Sequence, residues 1–159
     1  MFMIRPFEAA DTDAVIAIWR ACELTRPWNN PRADIARKLA VQPELFFIGC
    51  HAQTPIATAM FGYDGHRGWL YYFAVLPEYQ NKGYGRALLA HGEAALTAMG
   101  CPKINLQIRD TTTNTTGTTT GTTTGTTTGT TNTVTAFYEK SGYRADAVSS
   151  YGKRLIDDE

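Results

Sequence analysis

Gln80, Asn81, Lys82, Gly83, Tyr84 and Gly85 set two glycines and a lysine between an apolar run and the start of a helical one. Glycine lets a backbone pass close to a ligand, and the first amides of a helix are unpaired donors at the positive end of its dipole. A strand entering such a turn and helix can hold a phosphate or pyrophosphate. Three nucleotide-binding patterns compete for this chemistry. A P-loop needs GxxxxGK followed by Ser or Thr, a string the chain lacks. A Rossmann fingerprint needs a third small residue where Leu88 stands. What remains is QxxGxG between strand and helix, a string that an ordinary turn could also carry.

A second candidate is Tyr138, in FYEKSGY. On an amphipathic helix beside Phe137 and five residues before Tyr143, it could be a packed aromatic or a proton donor, and the residues alone leave both open. Arg26, Trp28 and Asn29 lie among prolines at 27 and 31 and could form a rigid pocket wall with one charged contact. Cys22, Cys50 and Cys101 have no CxxC or Cys/His spacing, so no metal site is expected.

These residues need elements to position them. FMIRPFE (2–8) alternates as a half-buried strand, and Asp11 or Thr12 then caps a helix carrying Val15, Ile18, Trp19 and Cys22 on one face. A short helix that Asp34 could cap follows. LFFIGCHA (45–52), IATAMFGY (56–63) and WLYYFAVL (69–76) read as three strands in antiparallel hairpins. In the last of these, strand alternation sends Tyr71 and Tyr72 to opposite faces, so at most one reaches an acceptor site. RALLAHGEAALTAMG is a helix stopped by Gly100, and KINLQIRD (103–110) is a further strand. TAFYEKSGY is a helix closed by Gly142, with two short strands expected in RADAVSS and KRLI. The fold class is α+β with α/β-type layering, a central mixed and mostly antiparallel twisted sheet with helices on both faces.

At 159 residues the chain is the length of one domain, spanning 1–159. Fifteen basic and fifteen acidic side chains balance, which removes any global field for nucleic acid or an anionic membrane. With no apolar leader and no run near the roughly 20 residues of a membrane span, a cytoplasmic protein is expected, as monomer or homodimer.

YFAVLPEYQNKGYGRALL resembles the acetyl-CoA-binding motif of the GNAT superfamily of N-acetyltransferases, and FYEKSGY resembles the motif carrying its catalytic tyrosine. RPWNNPRADI, GYDGHRG, GCPKI and GKRLIDDE are similar to the small bacterial YpeA-type acetyltransferases. The resemblance implies acetyl-CoA as co-substrate and direct transfer, in a ternary complex, to a primary amine of a small molecule or protein. It implies that backbone groups of Phe73, Ala74 and Val75 pair with the pantetheine arm. Amides from Gln80 through Gly85 would hold the pyrophosphate, with Lys82 and Arg86 nearby. Tyr138 would protonate the departing thiolate, and Arg26, Trp28, Asn29 and Tyr72 would shape the acceptor pocket. Gln107 stands where relatives that acetylate protein amino termini often carry a glutamate, and an amide cannot act as that base. Glu23, Asp64 and His66 are the substitutes, acting directly or through water.

Residues 111–133 contain only Thr, Gly and Asn, with TTTG repeated from Thr118 to Gly129. Having no charge and no large apolar side chain, the segment is expected to be a mobile loop. The family often supplies an asparagine seven residues before the tyrosine to contact CoA; Thr131 holds that place, and Asn132 beside it is the expected contact. Lengthening a loop from about 5 to about 25 residues costs only around 1.4 kcal/mol of closure entropy, so the fold should survive. A loosened tyrosine helix would instead leave a catalytically weakened acyl-CoA-binding module, the alternative reading.

Overall fold

The computed structural model describes residues 1–109 and 131–158. Five strands, β1 (Phe2–Pro6), β2 (Phe46–His51), β3 (Thr54–Tyr63), β4 (Gly68–Val75) and β5 (Ile104–Asn105), form one sheet in the order β1-β2-β3-β4-β5. The first four are antiparallel neighbours and β5 runs parallel to β4, so the sheet is mixed and mostly antiparallel, as expected. Helices α1 (Thr12–Ala21) and α2 (Pro31–Ala40) cover one face, and α3 (Tyr84–Ala98) and α4 (Thr131–Lys140) the other. The Thr-rich run from 111 to 130 lies outside the described residues, and α4 takes up its last three.

Local chemistry explains most of the turns. Ala52 and Gln53 both have positive φ, 47° and 69°, giving the two-residue mirror-type turn that matches strand twist between β2 and β3. Asp64 closes the β3–β4 turn by accepting from the amides of His66 (2.8 Å) and Arg67 (2.7 Å). Gly142, at φ 91°, ends α4 with its amide on the Glu139 carbonyl, as the sequence predicts.

Helix starts differ from expectation. Asp34 does not cap α2; Asn30 does, accepting from the amides of Arg32 (3.0 Å) and Ala33 (3.2 Å). Pro31 fits the first helical position, where its missing N–H costs nothing, so the helix begins four residues earlier than a cap at Asp34 would start it, and Asp34 is carried inside it. Neither Asp11 nor Thr12 caps α1 through its side chain. The Asp11 carboxylate takes Arg5 through two bonds (2.7 and 2.8 Å) and the Glu8 amide (2.9 Å), and the Thr12 hydroxyl donates back to Ala9.

A β-bulge shapes the centre of the sheet. Thr58 faces Ala74 and Met60 faces Tyr71, so Ala59 alone opposes both Tyr72 and Phe73. Tyr72 absorbs the extra residue at φ 48°, a left-handed conformation that is strained for an aromatic side chain. As a result Tyr71 and Tyr72 both face α1 and α2, whereas Leu70 and Phe73 face α3 and α4. The expectation that alternation sends the two tyrosines to opposite faces is therefore corrected.

Beyond Trp69 the edge of β4 has no strand partner among the described residues. The strand expected over 103–110 is only two residues long, because the bulge bends β4 away from the line that β5 would follow. The strands expected in RADAVSS and KRLI are absent for a related reason: β5 offers too short an edge to pair with. Residues 143–158 instead run as an irregular strap held by side chains, including Lys103 to Asp146 (2.5 Å), Gln107 to Ser150, and Arg37 to Asp158.

Candidate functional site

The turn between β4 and α3 is built from two left-handed residues, Asn81 (φ 60°) and Gly83 (φ 84°). Gly83 occupies the N-cap of α3 and has no side chain with which to cap it. The amides of Tyr84, Gly85 and Arg86 therefore meet no protein acceptor among the described residues, at the positive end of a 15-residue helix. The Gln80 side chain braces the turn from within by donating to the Val75 carbonyl at 2.9 Å. Lys82 folds back over the Tyr79 ring, 5.2 Å from its centroid, and donates to the Glu78 carbonyl. Arg86 is exposed. This half of the site has the donors for a pyrophosphate, and beside it lies the edge of β4 that carries Ala74 and Val75 and has no strand partner among the described residues.

Helix α4 sits across the same end of the sheet. Tyr138 is 2% exposed and packs on Phe73 (6.2 Å between centroids), Phe137 (5.2 Å) and Tyr143 (5.6 Å). Phe137 also lies over Gly85, where an added Cβ would meet its ring at an ordinary 3.6 Å. The Tyr143 hydroxyl donates to Glu93 at 2.8 Å and ties the end of α4 to α3; that bond and burial push the Tyr143 phenol up from its ordinary value. The Asn132 side chain lies outside what the structure describes.

On the α1/α2 face a cavity of about 860 Å³ is walled by Trp28, Asn29, Lys38, Trp69, Tyr71 and Tyr72. Of the residues expected at the acceptor pocket, Trp28, Asn29 and Tyr72 line it and Arg26 does not. The Arg26 guanidinium folds back on the loop after α1 instead, donating to the carbonyls of Glu23 (2.7 Å) and Thr25 (2.9 Å).

Tyr72 is held from three sides. Its ring stacks on Trp19 at 3.8 Å, its carbonyl accepts from Thr58 (2.8 Å), and Thr58 accepts from the Trp19 indole (3.0 Å). Its hydroxyl donates to Asp34 at 2.5 Å. Burial and that carboxylate push the Tyr72 phenol far up, so it is a donor and not a base. Burial likewise raises Tyr71 and lowers the Lys38 ammonium.

The expected substitutes for a missing glutamate fare poorly as bases. Asp64 lines the cavity, but the two turn amides hold its carboxyl below the usual range. Glu23 and His66 are exposed and lie outside the cavity wall, and the Gln107 amide donates to Ser150. Two wall residues escaped sequence reasoning. Asp34 reads as a helix cap, and Lys38 reads as one more solvated lysine on an amphipathic helix; the only sequence signal is that they share a face at i, i+4.

A sequence model described as "Acetyltransferase (GNAT) family" matches residues 13–118. An acetyltransferase of Sodalis glossinidius is 41% identical over 157 residues, covering 98% of this chain and 97% of that protein. The Ard1 structure from Thermoplasma volcanium superposes with a TM-score of 0.71 at 20% identity, covering 92% of this chain and 84% of that one, a likeness of fold. The ribosomal-protein-S18-alanine N-acetyltransferase from Escherichia coli superposes with a TM-score of 0.59 at 27% identity over 70% of each chain.

Proposed function

The chain belongs to the GNAT family of acetyltransferases, and on that premise we propose that it moves an acetyl group from acetyl-CoA to a primary amine by direct transfer in a ternary complex. The observation that carries this reading is the uncapped start of α3 beside an edge of β4 that has no strand partner among the described residues. Free amides and a free strand edge are what a pyrophosphate and an extended amide-bearing arm require. The residues present therefore fit acetyl-CoA. The Gln80 amide is taken by the Pro77 carbonyl, so the amides from Asn81 through Arg86 are the ones that would hold the pyrophosphate, with the Arg86 side chain and Lys82 beside them. Backbone groups of Phe73, Ala74 and Val75 take the pantetheine arm, and an amide there polarises the thioester carbonyl.

Acetyl-CoA supplies the acetyl group already activated as a thioester. The acceptor amine enters from the Trp28, Asn29 and Tyr72 side, so the two substrates meet where the sheet opens beyond Trp69. The neutral amine would form the carbon–nitrogen bond, Tyr138 would give its proton to the CoA thiolate as the carbon–sulfur bond breaks, and the proton shed by the nitrogen would pass through solvent to restore the tyrosine. The burial of Tyr138 beneath Phe73 and Phe137 favours a second reading, a chain that binds acyl-CoA and turns over weakly because its tyrosine is packed away.

Release of free CoA thiol across a panel of amines separates the two. Turnover that falls roughly a hundredfold or more in Tyr138→Phe, with CoA affinity unchanged, supports the transferase. CoA binding without turnover for any amine supports the weakened module.

A further inference from the structure

We propose that Lys38 anchors the carboxylate of the acceptor, which makes the acceptor a small primary amine bearing one carboxylate and a flat or apolar body. The inference rests on the acetyltransferase reading for the amine and on the cavity for the rest. Lys38 lines that cavity at 9% exposure, and no hydrogen bond or ion pair among the described residues involves its ammonium. A buried, unpaired ammonium is costly to keep, and burial lowers its pKa accordingly; Glu44 acts on it only from beyond ion-pair distance. An arriving carboxylate would remove that cost.

The carboxylates of the wall, and Arg37, are already committed. Asp34 takes the Tyr72 hydroxyl and Arg37, and Asp158 takes Arg37 at 2.5 and 2.9 Å. Asp64 takes two turn amides, and Arg154 reaches Asn29. Lys153 and Arg154 are exposed, so solvent screens both, which leaves Lys38 as the buried, unpaired cation of the wall among the described residues. One unpaired positive charge matches a monoanion; a phosphate dianion would leave a negative charge uncompensated within the cavity. Trp28, Trp69 and Tyr71 supply aromatic walls for the body of the ligand.

The test uses the full chain, with and without CoA, titrated with N-acetyl-L-tryptophan, N-acetyl-L-phenylalanine and N-acetyl-L-leucine, and with the C-terminal amide of each. These are acetylated products of the proposed acceptor class, and each acid differs from its amide only in the charged group. The expected result is at least one acid binding about tenfold or more tighter than its amide. That ratio should collapse toward one in Lys38→Met and persist in Lys38→Arg. Equal binding of acids and amides by the unmodified chain, no binding of any acid, or an acid preference that survives Lys38→Met would overturn the proposal. The acid-to-amide ratio is read without CoA as well, so a chain that prefers acids but fails to bind CoA would contradict the transferase reading while leaving the carboxylate site standing.

Discussion

Gly92 sits midway along α3, where the helix crosses β3, and replacing it by alanine sets two effects of opposite sign against each other. Alanine is the better helix former by about 0.8–1.0 kcal/mol, so on propensity alone Gly92→Ala should stabilise. Its Cβ, however, would stand 2.0 Å from Cε2 and 2.1 Å from Cζ of Phe61. Carbon atoms prefer about 3.5–4.0 Å, so the pair must separate by roughly 1.5 Å. Phe61 is fully buried with Phe47 at its edge, so the ring can turn aside only by disturbing its packed neighbours. The helix must lift instead, taking Leu88, Leu89 and Leu96 from their contacts. Overpacking of this kind costs about 3 kcal/mol, which outweighs the helix gain by about 2 kcal/mol. For a chain of this length the thermal midpoint should fall by about 4–8 °C. Because the lifted helix carries the amides assigned to the pyrophosphate, CoA affinity should fall with it. Phe61→Leu on the same background removes the two nearest clashing carbons, Cε2 and Cζ, so the double variant should lose less than the sum of the two single changes. Thermal unfolding of the four proteins decides the matter. A Gly92→Ala chain as stable as the parent, or more so, would refute the close-packing argument.

Gly83→Ala should cost about 1 kcal/mol, since its φ of 84° is left-handed, and should weaken CoA binding more than it weakens the fold; calorimetric titration beside thermal unfolding compares the two. Tyr72→Phe removes the hydroxyl that donates to Asp34 and should lower stability by about 1.5–3 kcal/mol while leaving CoA affinity intact, measured by denaturant unfolding and titration; a neutral result would mean the bond is idle. The Arg5 guanidinium and the Glu8 amide hold the Asp11 carboxyl below its ordinary 3.8, so its contribution is present above about pH 4 and is lost as pH falls through the lower folded value. Asp11→Asn should therefore be about 2 kcal/mol less stable than the parent at pH 7 and converge on it as pH falls through the lowered folded value; melting curves that stay parallel as the pH is lowered would contradict the assignment.

Periodicity and turn chemistry in the sequence locate β1 to β4, the long α3 and the glycine-closed α4. Each of these obeys a local rule: alternation, helical spacing, a glycine at a left-handed position. The elements that depart are set by distant contacts. Strand alternation across Tyr71 and Tyr72 fails because a single extra residue opposite Ala59 rotates one of them, and nothing local marks the bulge. The same bend shortens β5 and leaves the end of the chain without a partner edge, so apolar patterns in RADAVSS and KRLI form no strand. The candidate site divides the same way. The turn at 80–85 is written in glycines, and Trp28 stands out beside its prolines. Lys38 has no local signature, since its role comes from walls supplied by β3, β4 and the chain end. Arg26 shows the converse, a conspicuous charge that the carbonyls of its own loop consume.

Calorimetric titration of the full chain with CoA and acetyl-CoA tests the central claim most directly, with Gly83→Ala as the control for the site. Dissociation constants in the micromolar range, about −8 kcal/mol, and a clear weakening in the Gly83 variant are the predicted results. A chain that is folded by its thermal transition and binds neither compound would contradict the account.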